Sequence, residues 1–140
     1  MVAWDDVKPT GTVLLAADWN DMVTWLKAHT FIYAEETGAS KQMVINYRYG
    51  ANRSSLITFT LPAAATVGER LSVVGIGTGG WLIAQNASQL IHVGATASVA
   101  GTGGSIASTN QFDGIDLVCI VTDTTWTATS VIGSLAVVTA

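Results

Sequence analysis

Gly114-Ile-Asp-Leu-Val-Cys-Ile-Val-Thr122, followed by Trp126-Thr-Ala-Thr-Ser-Val-Ile132, is the stretch that decides the fold. Both runs are β-branched and apolar, and the residues between and after them are turn formers, so each reads as a strand. Leu135–Val138 reads as another. Working back toward the N-terminus, Leu56–Leu61 forms a strand stopped by Pro62, and Leu71–Ile76, Trp81–Gln85 and Leu90–Val93 are short strands between glycine and amide turns. Strands this close together, with almost no helical periodicity among them, predict a mainly β chain: an antiparallel β-sandwich or barrel.

Charge is distributed very unevenly around this region. Ser54–Ala140 holds five charged side chains (Glu69, Arg70, Asp113, Asp116 and Asp123), while the first 53 residues hold eleven. A charged fraction of 11% is well under the roughly 25% of a typical soluble domain. The expectation is that copies of the chain cover much of the β region. A net charge of −4, with Arg70 the only basic residue beyond position 53, disfavours nucleic acid, which needs clustered Lys and Arg.

Mean hydropathy is +0.43, yet no apolar run approaches the ~18 residues of a spanning helix. Trp81, Trp126 and Phe112 are too few to girdle a lipid-facing barrel, so no membrane insertion is expected. The acidic start Met1-Val-Ala-Trp-Asp-Asp6 is not a signal peptide, and synthesis in a cytoplasm without export is expected. Cys119 is the lone cysteine, set among Leu, Val and Ile, and reads as a small buried hydrophobe.

Residues 1–13 read as an irregular arm, with a turn at Lys8-Pro-Thr-Gly11 and an aromatic, Trp4, in a polar setting. One short amphipathic helix follows, from about Trp19 to about His29. Asp18 is its expected N-cap, and Trp19, Met22, Val23 and Leu26 lie on one face, with Trp25 and His29 on the flank. Three turns are not stable alone, so the helix must pack on something. Residues 34–42 read as a polar hinge, Met43–Tyr49 as a first strand and Gly50–Ser55 as a turn. The expected division is an attachment segment, 1–42, and a β-rich trimerisation or knob domain, 43–140.

The chemical motifs are weak. Gly75-Ile-Gly-Thr-Gly-Gly80 matches the dinucleotide fingerprint, but the next residues return to strand and no acid follows about 20 residues on. The reading is a tight turn or a close backbone approach. Gly77-Thr-Gly-Gly and Gly101-Thr-Gly-Gly echo each other 24 residues apart, which marks two similar turns, since a solenoid needs at least about three repeats. Asp113 and Asp116, at i and i+3 on a strand, would point to opposite faces and do not make an acid–base pair. His92, His29 and Cys119 form no metal cluster, and no metal or cofactor is expected. Trp81, Gln85, Asn86 and Trp126 offer rings and amides that suit either a glycan surface or a core with turn amides. The sequons at Asn52 and Asn86 have meaning only on a secretory route.

The string Thr60-Leu-Pro-Ala, Val67-Gly, Val74-Gly-Ile-Gly, Gly80-Trp-Leu-Ile-Ala-Gln-Asn86, Gln89-Leu-Ile-His92, Gly101-Thr-Gly-Gly-Ser-Ile-Ala-Ser-Thr-Asn110, Asp113 and Leu117-Val-Cys119 resembles the β-rich tip domains of bacteriophage tail fibres. Gly11-Thr and Leu15-Ala-Ala-Asp-Trp-Asn20, with the helix, are similar to N-terminal segments of phage fibre and head-fibre proteins. The resemblance covers about 100 residues of structural pattern and carries no active site. It implies a non-enzymatic homotrimer on the virion surface, bound to a major capsid or tail protein. At this length a capsid decoration protein or head fibre fits best, attached through Trp4, Trp19, Met22, Trp25 and Leu26. The alternative is a tail-fibre tip or receptor-binding protein that engages host surface glycan for attachment through Trp81, Gln85, Asn86 and Trp126.

Overall fold

The structure, a computed structural model, describes residues 16–139. It is mainly β. Helix α1 (Ala16–His29) precedes twelve strands: β1 (Ile32–Glu36), β2 (Ser40–Gln42), β3 (Tyr47–Ala51), β4 (Ile57–Thr60), β5 (Arg70–Gly75), β6 (Trp81–Ala84), β7 (Leu90–Val93), β8 (Thr96–Ala97), β9 (Ser105–Ser108), β10 (Gly114–Val121), β11 (Thr125–Ile132) and β12 (Leu135–Val137). A seven-stranded sheet, in the order β1-β3-β5-β10-β11-β7-β8, faces a five-stranded sheet, in the order β12-β9-β6-β4-β2.

The sandwich matches expectation, but its sheets are mixed rather than wholly antiparallel. The N-terminal half winds: β1, β3 and β5 enter the first sheet in parallel, and β2, β4 and β6 enter the second in parallel. Each return to a sheet passes through a strand of the other one, which supplies the crossover that parallel neighbours require. The C-terminal half then closes the body largely with antiparallel pairs. β10 lies between β5 and β11, and β9 lies between β6 and β12.

Stacked winding explains the glycines. Gly77 and Gly79 donate to the carbonyls of Ala51 and Arg53, each at 2.9 Å. A Cβ on either glycine would collide with the backbone of Arg53 or Ser55 in the turn beneath. Gly80 adopts φ 71°, in the left-handed region. The fingerprint-like glycines therefore serve close backbone approach between successive turns. Gly77–Ala84 and Gly101–Ser108 follow the same course of bend, turn and four-residue strand. The two strands they launch, β6 and β9, are antiparallel neighbours, with Ile83 opposite Ile106.

Alternation fills the interior. Tyr49, Phe59, Leu71, Trp81, Ile83, Ile106, Leu117 and Trp126 are all buried. Tyr49 stacks on Tyr47 and tilts against Phe59, and its hydroxyl accepts from Val44 N at 2.8 Å. Cys119 is buried as expected; burial pushes its thiol pKa up, which leaves it in the unreactive protonated form.

Several local expectations are corrected. Helix α1 begins at Ala16, so Asp18 sits in its first turn and not at the N-cap. The stretch read as a hinge contributes to both sheets through β1 and β2, so the β body begins at Ile32 rather than at residue 43. The expected strand at 43–49 is interrupted by Asn46, whose φ of 63° turns the chain before β3. β3 then runs into the stretch read as a turn. Trp4 and the arm lie outside the described residues.

Candidate functional site

The four residues read as possible glycan contacts are structural. Trp81 and Trp126 occupy inward positions of β6 and β11 with 0% exposure. A ring with no exposed face has nothing to stack on a sugar, which corrects that assignment. Trp81 Nε1 donates to the Asp113 carbonyl at 2.9 Å, while Trp126 Nε1 is buried without a partner among the described residues. Gln85 is 4% exposed, and its Nε2 is shared among the carbonyls of Gln89, Val99 and Gly101. Its Oε1 accepts from Ser98 Oγ. Asn86 Nδ2 donates to the Leu61 carbonyl at 2.7 Å and to Gln89 Oε1 at 3.0 Å. Gln89 Nε2 reaches the carbonyls of Pro62 and Asp123. The group pins four chain segments together.

The two acids also separate. Asp113 is buried before β10 and accepts from the backbone of Thr109 and Asn110 at 2.9 and 2.8 Å. Burial works to raise its pKa, but the hydrogen bonds from Asn110, Thr109 and Ser134 prevail and hold it below the usual value. Asp116 instead projects from the outer face of β10. Among the described residues, no group of three or more His, Cys, Asp or Glu could hold a metal ion, and no helix is long and apolar enough to cross a membrane.

On α1 two large apolar side chains are exposed and three are half-buried. Trp19 is 56% exposed and Leu26 46%, while Met22, Val23 and Trp25 are half-buried. Among the described residues, no strand packs extensively against this helix. Trp19 and Leu26 are the exposed large apolar side chains of this helix.

A second feature comes only from strand register. Tyr33, Arg48, Ser72, Asp116 and Ser130 fall in one row across β1, β3, β5, β10 and β11. Their sequence neighbours Tyr49, Leu71, Val73 and Leu117 point into the core, so this row faces outward. The adjacent row is Glu35, whose carboxylate accepts from Asn52 Nδ2 at 3.0 Å, then Gly50, Val74, Gly114 and Ile132. Gly114 leaves the floor low. Tyr33 lies across Gly50, where a Cβ would press on its ring. The result is a groove of about 240 Å³ lined by Arg48, Ser72, Val74, Gly114, Asp116, Ser130 and Ile132, among others.

Arg48 is held on three sides. Its Nε donates to Ser72 Oγ at 3.2 Å, its Nη2 meets Asp116 Oδ1 at 3.4 Å, and its guanidinium lies 5.3 Å from the Phe31 ring centroid. Arg70 approaches the same ring at 5.0 Å.

No protein-family model matches the sequence, and no curated protein matches it. The chain's own surface is therefore the guide to function. Sequence alternation could have placed Arg48 and Asp116 opposite the core, but only the pairing of β3, β5 and β10 brings them together.

Proposed function

We propose that the chain is a non-enzymatic structural protein of a bacteriophage particle, a homotrimer attached by α1 and the residues before it as a capsid decoration or head-fibre protein. The observation that carries this reading is the exposure of Trp19 and Leu26 on α1, beside a β body that has its own closed core. A short helix with such side chains gains its stability from whatever it packs on.

Self-association draws support from the outer face of the five-stranded sheet. Its two outward rows are Ser40-Thr58-Leu82-Ala107-Ala136 and Gln42-Thr60-Ala84-Ser105. Neither row contains a charge. Such a face meets a second copy without burying an ion, and its small side chains let sheets approach to the ~10 Å of face-to-face packing.

The test is removal of residues 1–30, which ends before β1. The shortened protein is expected to keep its β circular dichroism and cooperative unfolding but to lose cosedimentation with particles lacking their own copy. Cosedimentation equal to that of the full chain would refute attachment through α1.

A further inference from the structure

Beyond attachment, the geometry points to the groove on the outer face of the seven-stranded sheet as a binding site for a single neutral sugar ring, held through a vicinal diol by Arg48 and Asp116. The argument begins with unused hydrogen-bonding capacity. Among the described residues, Asp116 Oδ2 and Arg48 Nη1 have no protein partner, although each side chain is anchored through its other atoms. A carboxylate accepts and a guanidinium donates, so neighbouring groups that can each do both are matched by the pair. Adjacent sugar hydroxyls have that property. Ser130 stands beside Asp116 in the same row and adds a hydroxyl of either polarity, while Ser72, between the pair and 4% exposed, accepts from Arg48 Nε and holds the guanidinium in place.

The rest of the groove suits the less polar side of a sugar. Val74 and Ile132 give it an apolar wall, with Ile132 64% exposed, and Gly114 removes the side chain that would fill the floor. The groove's volume of about 240 Å³ falls below the roughly 300–1,000 Å³ of drug-sized pockets and suits one ring rather than a chain. The ion pair cancels its own charge, which favours a neutral ligand over an anion.

A peptide fits less well. An extended peptide binds by extending a sheet edge through its main chain. Here β3, β5 and β10 are interior strands whose backbone groups serve their neighbours. The groove therefore offers side chains only.

The experiment is amide NMR titration of the full chain with methyl α-mannoside, methyl β-galactoside and methyl β-glucoside. An Ac-Ser-Gly-amide peptide is the contrasting probe. At least one glycoside is expected to bind near the millimolar range, with shifts confined to the neighbourhood of Arg48, Ser72, Val74, Gly114, Asp116 and Ser130. Asp116→Asn and Arg48→Met are each expected to weaken binding at least about tenfold while the thermal midpoint stays near that of the unmodified protein. The shift footprint of the unmodified protein decides the matter should either variant fold poorly. No response to any of the three glycosides at 50 millimolar would overturn the proposal. So would shifts elsewhere, binding unaffected by Asp116→Asn, or a response to the peptide alone.

Discussion

Two polar clusters in this molecule use the same kinds of atoms to opposite ends. At the corner formed by residues 85–89 and 98–101, the amides of Gln85, Asn86 and Gln89 are directed at main-chain carbonyls and at one another. On the outer face, Arg48 and Asp116 hold each other in place and leave one donor and one acceptor toward solvent. A polar side chain in a charge-poor protein is thus evidence of binding only when hydrogen-bonding capacity remains after the fold has been satisfied. The corner has that capacity consumed by backbone, above all by the carbonyls of Pro62, Val99 and Asp123.

The contrast predicts very different mutational costs. Gln85→Leu keeps most of the volume but strands the Val99 carbonyl and removes the acceptor of Ser98 Oγ, while the carbonyls of Gln89 and Gly101 keep the backbone donors Gly101 N and Gly104 N. Since an unpaired buried group costs ~1–3 kcal/mol, a loss in that range is expected, read as a lower urea midpoint with an unchanged slope. A midpoint equal to that of the unmodified protein would make the corner dispensable and erase the distinction.

Asp113 lies between these extremes and adds a pH signature. Its folded pKa is depressed, so its contribution is present above the ordinary carboxyl value of about 3.9 and is lost as pH falls through the lower folded value. Thermal midpoints of the unmodified protein are expected to decline on acidification below about pH 4. Asp113→Asn is expected to start lower at neutral pH and to decline less over that window. Parallel curves for the two proteins would show that Asp113 is not the group responsible.

The smallest effect is expected on the outer face. Arg48→Met removes a half-exposed ion pair at 3.4 Å; exposed pairs contribute at most about 1 kcal/mol and are weakened by salt. Its midpoint in chemical denaturation is expected to lie within that margin. A loss as large as that of Gln85→Leu would mean that Arg48 serves the fold and not the surface.

What the sequence revealed follows the same physical division. Strands β4, β6, β7, β10, β11 and β12 were legible because alternation puts residues such as Ile57, Phe59, Trp81 and Leu117 on one face between turn formers. β1 and β2 were not, since Ala34-Glu-Glu36 and Ser40-Lys-Gln42 are polar. They are the exposed edge strands of their sheets, where charge is tolerated and guards against unwanted pairing. β9 was hidden by its small residues, of which only Ile106 is buried. Parallel winding left one trace, the repeated Gly-Thr-Gly-Gly, but a glycine does not name the backbone it approaches. Trp81 and Trp126 looked like binding residues because neither a ring nor an amide announces which face of its strand it occupies. The groove was illegible for a different reason. Its row joins Arg48 to Asp116, residues distant in sequence that meet only through the register of three strands.

Trimerisation through the uncharged face of the five-stranded sheet is tested most directly by light scattering on the full chain beside Ala107→Glu. The unmodified protein is expected to give three times the 14.6 kDa chain mass, and Ala107→Glu, which puts a charge on that face beside Leu82 of the central strand β6, to give a folded monomer. A monomeric unmodified protein at micromolar concentration, or a trimer unchanged by Ala107→Glu, would contradict it.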